Sequence, residues 1–144
     1  VIFSYNGIDC MSHDKRLSCL AEVSRVLKPR GLFVFSSHNR DFKRKVVAYD
    51  RLDYNLIRNI KNIRSYLIVK NFQIHERSYE ILSDPLAGFA HLTYYIRLSD
   101  QIEQIEEAGF ALREVFNRRA ESVELTEIDT TSNFLYYVCE KPDF

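Results

Sequence analysis

The chain has 144 residues, 46% of them apolar and 28% charged, with 20 Lys and Arg balanced by 20 Asp and Glu. Such a length and composition suit one domain with a single core and exclude a disordered chain, while no apolar run approaches the roughly 18 residues of a spanning helix. Cys10, Cys19 and Cys139 are odd in number and contain no C-x-x-C pair, which argues against a disulfide framework or a zinc site and for a reducing, cytoplasmic setting.

Val1 to Tyr5 reads as a β-strand with no turn or cap before it, so the chain is expected to begin inside a sheet as part of a longer product. Asn6-Gly7 signals a turn, and Ser12 is a suitable N-cap with Asp14 in the first helical turn. Over 16–28 the apolar residues Leu17, Leu20, Ala21, Val23, Val26 and Leu27 recur at helical spacing, predicting one buried stripe beside a polar face that carries Arg16, Glu22 and Arg25. Pro29 and Gly31 end the helix, and Leu32 to Phe35 is the short apolar run of a parallel strand covered on both faces. Strand, helix and strand form a βαβ unit, in which ligands gather beyond the carboxyl ends of the strands. Those ends are Ser4-Tyr5-Asn6-Gly7 and Ser36-Ser37-His38-Asn39.

Beyond that unit, Leu52, Leu56, Ile60, Ile63 and Leu67 predict an amphipathic helix with Arg58 and Lys61 on its outer face. Segments 78–82 and 90–97 look β-like around a loop marked by Asp84-Pro85 and Gly88, making a hairpin or a cap. Tyr94 and Tyr95 fall on opposite faces of the second segment, and Tyr95 shares its face with His91. Ser99 opens a last helix that ends at Gly109, and 112–116 and 134–140 are the final strands. Charge is uneven along the chain. From His38 to Arg77 ten bases face four acids, and from Ser99 onward eleven acids face four bases. A solvated basic helix face explains the first block better than a nucleic-acid site, since no aromatic-interleaved RNA motif accompanies it.

The run from Glu22 to Phe35, containing Arg25-Val26-Leu27-Lys28-Pro29 and Gly31, resembles the E-x-x-R-V-L-K-P-G-G signature between the fourth and fifth strands of class I S-adenosylmethionine-dependent methyltransferases. Glu106-Glu107-Ala108-Gly109-Phe110 is similar to the turn after that family's next helix, and 136–141 to its final strand, so the resemblance covers nearly the whole chain. Arg30 departs from the pattern, standing where the family usually has glycine. The resemblance implies a partial doubly wound α/β sheet, strands four to seven of seven in the spatial order four, five, seven, six with the seventh antiparallel. In this division 1–37 and 98–144 form the sheet and its flanking helices, and 38–97 an α+β insertion or substrate cap.

It also implies S-adenosylmethionine as cofactor of the intact parent and methyl transfer to a small molecule. The chain has only four glycines and no G-x-G turn, so the methionine end of the cofactor is left to Ser4, Tyr5, Asn6 and Gly7, and the chain alone is expected to be inactive. His38, directly after a parallel strand, is the candidate general base, because an imidazole's ordinary pKa of about 6.5 suits proton transfer near neutrality. A role in holding the loop is the alternative. Asp9, Asn39, His91 and Tyr95 are the candidate substrate contacts, with dipole-favourable placement for Asp9 and an Asx turn for Asn39 as their competing readings. No metal is expected. With its neighbour missing, the fourth strand exposes an apolar edge, which predicts a homodimer through that edge or poor solubility. A non-catalytic binding module built on this fold, and an RNA methyltransferase, are the competing functions.

Overall fold

The computed structural model describes residues 1–42, 56–83 and 91–143. Leu52, Asp84-Pro85, Gly88 and Ala90, used above as markers, lie outside them. β1 (Ile2–Phe3) is followed by a 3-10 turn (Gly7–Cys10), α1 (His13–Val26) and β2 (Leu32–Asn39). Ser12 occupies the N-cap of α1, but its side chain makes no capping hydrogen bond there. The helix stops where Pro29 forbids continuation, and Lys141, the residue after β7 (Phe134–Glu140), donates from its ammonium to the Ser24 and Leu27 carbonyls at 2.6 and 2.8 Å. Those bonds satisfy two carbonyls that the helix end leaves without partners. Arg30 has φ 62°, the left-handed region that glycine tolerates and arginine does not, at a cost of about 1 kcal/mol or more.

β1 pairs parallel with β2, with Ile2 opposite Val34 and Phe3 opposite Phe35. On its other edge β2 pairs antiparallel with β7 along seven residue pairs, and β7 pairs antiparallel with β6 (Ala111–Phe116). The resulting order, β1, β2, β7, β6, is the expected order four, five, seven, six. α3 (Leu98–Glu107) runs into Gly109, whose φ of 83° closes the helix before Phe110 turns back into β6. Leu20 and Val23 of α1, Leu98 and Ile105 of α3, and Phe33, Phe35, Phe110, Val115, Leu135 and Tyr137 form one core. The Phe35 and Tyr137 rings stack across the β2 to β7 pair at 5.0 Å.

The segment between β2 and α3 extends this same sheet. β4 (Tyr79–Ser83) and β5 (Leu92–Ile96) are an antiparallel pair, with β3 (Ile74–His75) on the outer edge of β4. β5 then pairs parallel with the last residues of β2, His38 opposite Tyr95 and Asn39 opposite Ile96. β1 and β5 thus share one edge of β2, β1 beside its first half and β5 beside its carboxyl end. That arrangement brings the β4–β5 hairpin to the end of the sheet where ligands bind in such folds.

α2 (Leu56–Val69) carries the predicted stripe of Leu56, Ile60, Ile63 and Leu67, but each of these is at least 51% exposed. The periodicity correctly placed them on one face; within the described residues nothing covers that face. No helix of the described residues is long and apolar enough to cross a membrane.

Candidate functional site

At the carboxyl end of β1 the chain turns sharply. Tyr5 and Asn6 have φ of 56° and 51°, two consecutive non-glycine residues in the left-handed region, where each costs about 1 to 3 kcal/mol. The turn is held by Gly7, whose N–H donates to the Ser4 carbonyl at 3.2 Å, and by the Asn6 N–H, which donates to Ser36 Oγ of β2 at 3.0 Å. A side chain at position 7 would meet the Phe3 ring at 2.9 Å, so glycine is needed for close approach. The turn leaves Tyr5 98% exposed and directs the Asn6 amide toward His38, with Nδ2 3.4 Å from His38 Nε2. The Asn6 Oδ1 is buried without a donor, an acceptor waiting for one.

Behind His38 lies a closed polar cluster. Asp9, only 1% exposed, accepts four hydrogen bonds: Oδ2 from the His38 backbone N–H and from His38 Nδ1, both at 2.7 Å, and Oδ1 from Arg16 at 2.6 Å and Ser37 Oγ at 2.7 Å. Four acceptor positions are what an ionised carboxylate offers, and all are filled. Arg16 is fully buried, and its five N–H groups all find acceptors. Nε donates to Gln104 Oε1 at 3.2 Å, Nη1 to Asp9 and the Ile8 carbonyl, and Nη2 to Ser37 Oγ at 3.0 Å and to Gln101 Oε1. The guanidinium also lies 4.5 Å over the Tyr94 ring. The sequence reading set Arg16 on the polar face of α1; the structure buries it, because it stands four residues before Leu20 on the same stripe and meets a carboxylate there.

Tyr94 completes the wall. Burial pushes its phenol up to about 12, so at neutral pH it keeps its proton; its oxygen lies 2.9 Å from His13 Nδ1 and accepts from Gln104 Nε2 at 3.0 Å. His13 stacks flat on Tyr79 of β4 with ring centres 4.2 Å apart, tying the start of α1 to the hairpin. Burial likewise pushes the Cys139 thiol up to about 12 and raises that of Cys19, as expected of structural thiols rather than nucleophiles.

The structure therefore gathers Asn6, Asp9, His38 and Tyr95. Tyr95 is 4% exposed, and its ring centre lies 5.2 Å from that of His38. Asn39 is 4% exposed and engaged inside the protein: Oδ1 accepts from the Asp41 N–H at 3.0 Å, the Asx turn, while Nδ2 donates to the Asp129 and Ser132 carbonyls at 2.5 and 3.1 Å. His91 is exposed at the far end of the hairpin strand, four residues or about 13 Å from Tyr95, and is not brought to the cluster. Arg16, Gln101, Gln104 and His13 were missed by sequence reading. Their one legible signal is that Arg16 and Gln101 fall in register with the apolar stripes of their helices.

No family model and no curated protein matches the sequence. The fold does match solved structures. The CcbJ methyltransferase from Streptomyces caelestis aligns with 99% of this chain and 57% of its own at 16% identity and a TM-score of 0.53. The glycopeptide N-methyltransferase MtfA aligns with 99% of this chain and 56% of its own at 12% identity and a TM-score of 0.55. The Burkholderia thailandensis 1,6-didemethyltoxoflavin-N1-methyltransferase, solved with 1,6-didemethyltoxoflavin and S-adenosylhomocysteine, aligns with 99% of this chain and 44% of its own at 12% identity and a TM-score of 0.52. The chain thus spans about half the length of the structures it matches. At such identities the likeness is one of fold, and the fold is the Rossmann-like sheet of S-adenosylmethionine-dependent methyltransferases, of which this chain carries strands four to seven.

Proposed function

We propose that this chain supplies the acceptor side and the methionine end of the cofactor site in a methyltransferase acting on a small molecule, and that the glycine-rich cofactor-binding half lies outside these 144 residues. The observation that carries the reading is the placement of His38: it ends a parallel strand, faces the left-handed turn after the neighbouring one, and holds its ring between Asp9 and Tyr95.

Fit to S-adenosylmethionine is partial, and the part is specific. The orphaned Asn6 Oδ1 suits a ligand bearing N–H groups, which the methionine ammonium is, and the turn from Ser4 to Gly7 offers backbone groups around it. For adenine and ribose the chain has no glycine-rich turn to lie against. When bound, the cofactor supplies an electrophilic methyl group on a sulfonium sulfur. This chain's own residues do the remaining work. His38 Nε2 receives the proton that a hydroxyl or nitrogen acceptor gives up, Asp9 Oδ2 balances the charge then formed on the imidazole, and Tyr95 packs beside the ring to limit water.

A protein carrying both halves should release S-adenosylhomocysteine with small hydroxyl or amine acceptors, with a KM that holds between low and physiological salt. An RNA acceptor would bind with a steep loss of affinity over that range, and finding turnover only with RNA would refute the small-molecule reading.

A further inference from the structure

Asp9 does more than fill space beneath His38. Its Oδ2 accepts from both the backbone N–H and the Nδ1 of the same residue, each at 2.7 Å, so one oxygen clamps the imidazole to its own main chain. A carboxylate in this position is acceptor-only, so Nδ1 must carry the hydrogen. The other ring nitrogen, Nε2, faces the Asn6 amide nitrogen, itself a donor, at 3.4 Å. Both neighbours therefore demand one tautomer, with the hydrogen on Nδ1 and the lone pair on Nε2. Arg16 and Ser37 hold Asp9 from its other side: both donate to Oδ1, and both are fully buried themselves.

We infer that Asp9 is a positioning residue that fixes His38 as the Nδ1–H tautomer, presenting Nε2 as the proton acceptor at the carboxyl end of the sheet, with Arg16 holding the Asp9 side chain in place. The catalytic use of that lone pair rests on the function proposed above; the tautomer itself does not. The acceptors that such a group serves carry a proton on the atom to be methylated, a hydroxyl or an N–H, since an acceptor without one gives Nε2 nothing to take. That proton passes from the acceptor atom to Nε2 and leaves later to solvent.

The test is nitrogen NMR of His38 in the 144-residue chain, with no cofactor or substrate present. In its neutral form His38 is expected as the Nδ1–H tautomer at roughly ten to one or better, the preference that a hydrogen bond to a charged acceptor produces. In Asp9→Asn, Arg16 and Ser37 retain the amide oxygen and turn the amide nitrogen, a donor, toward Nδ1 at the cost of the bond from the His38 backbone N–H, so the preference should reverse to Nε2–H. Asp9→Glu, an acceptor again, should restore the original form. A wild-type His38 in the Nε2–H form, or a folded Asp9→Asn protein whose His38 keeps the Nδ1–H form, overturns the inference. The wild-type measurement decides the question even if Asp9→Asn fails to fold. Either result leaves cofactor binding, and hence the proposed function, to be judged separately.

Discussion

Arg16→Met is expected to destabilise the protein by about 3 to 5 kcal/mol in urea unfolding, a large fraction of the net stability of a domain of this size. The loss comes from what is left behind. Without the guanidinium, Asp9 has no opposite charge beside it in a site that is 1% exposed, and the oxygens of Gln101, Gln104 and the Ile8 carbonyl each lose the donor that Arg16 brings. Arg16→Lys should recover little, because a lysine brings three donors on a single nitrogen where five spread over a planar fork are used. Replacing Arg16, Asp9 and the two glutamines together by apolar residues of matching volume should cost far less than the single change, since no unpaired charge then remains. An Arg16→Met protein within about 1 kcal/mol of wild type would mean that water reaches the cluster and that its closure is misread.

His38→Gln is expected to lower methyl transfer by a protein holding both halves of the site by about a hundredfold to ten-thousandfold, the range lost with a general base. Cofactor affinity should change less than about threefold, because the loss lies in the transition state and not in ground-state binding. Glutamine keeps a hydrogen-bonding side chain of similar reach but has no basic lone pair. The fold should survive, as the His38 side chain is partly exposed and the Asp9 to Arg16 pair stands without it. A fall of less than tenfold would return His38 to its alternative role, that of holding the loop.

How far the sequence foretold this arrangement depends on which physical signal each part carries. The βαβ unit, the hairpin of β4 and β5 and the two last strands announce themselves through apolar period and turn residues, which act locally. Arg30 was visible as a departure from a signature that has glycine there, and its φ of 62° shows that the turn keeps the left-handed conformation despite the substitution. The pairing of β5 with the end of β2 was not legible, since nothing local to either strand records which edge it meets. The cluster behind His38 was hidden for the same reason: Asp9, Arg16, Ser37 and Gln101 are drawn from four separate elements. An arginine in a helix reads as a surface residue by default, and only its step of four to Leu20 hints otherwise. α2 shows the converse limit. A clean stripe of Leu56, Ile60, Ile63 and Leu67 tells which residues share a face, and leaves open what lies against it.

Isothermal titration of S-adenosylmethionine and S-adenosylhomocysteine into the 144-residue chain, beside a protein that also carries a glycine-rich cofactor-binding half, tests the central claim most directly. Binding confined to the larger protein, and weakened there by Asn6→Ala, is the result predicted for half a site that holds the methionine end. Micromolar binding by the 144 residues alone would contradict it, and would require that this chain grip adenosine through groups other than those at the ends of β1 and β2.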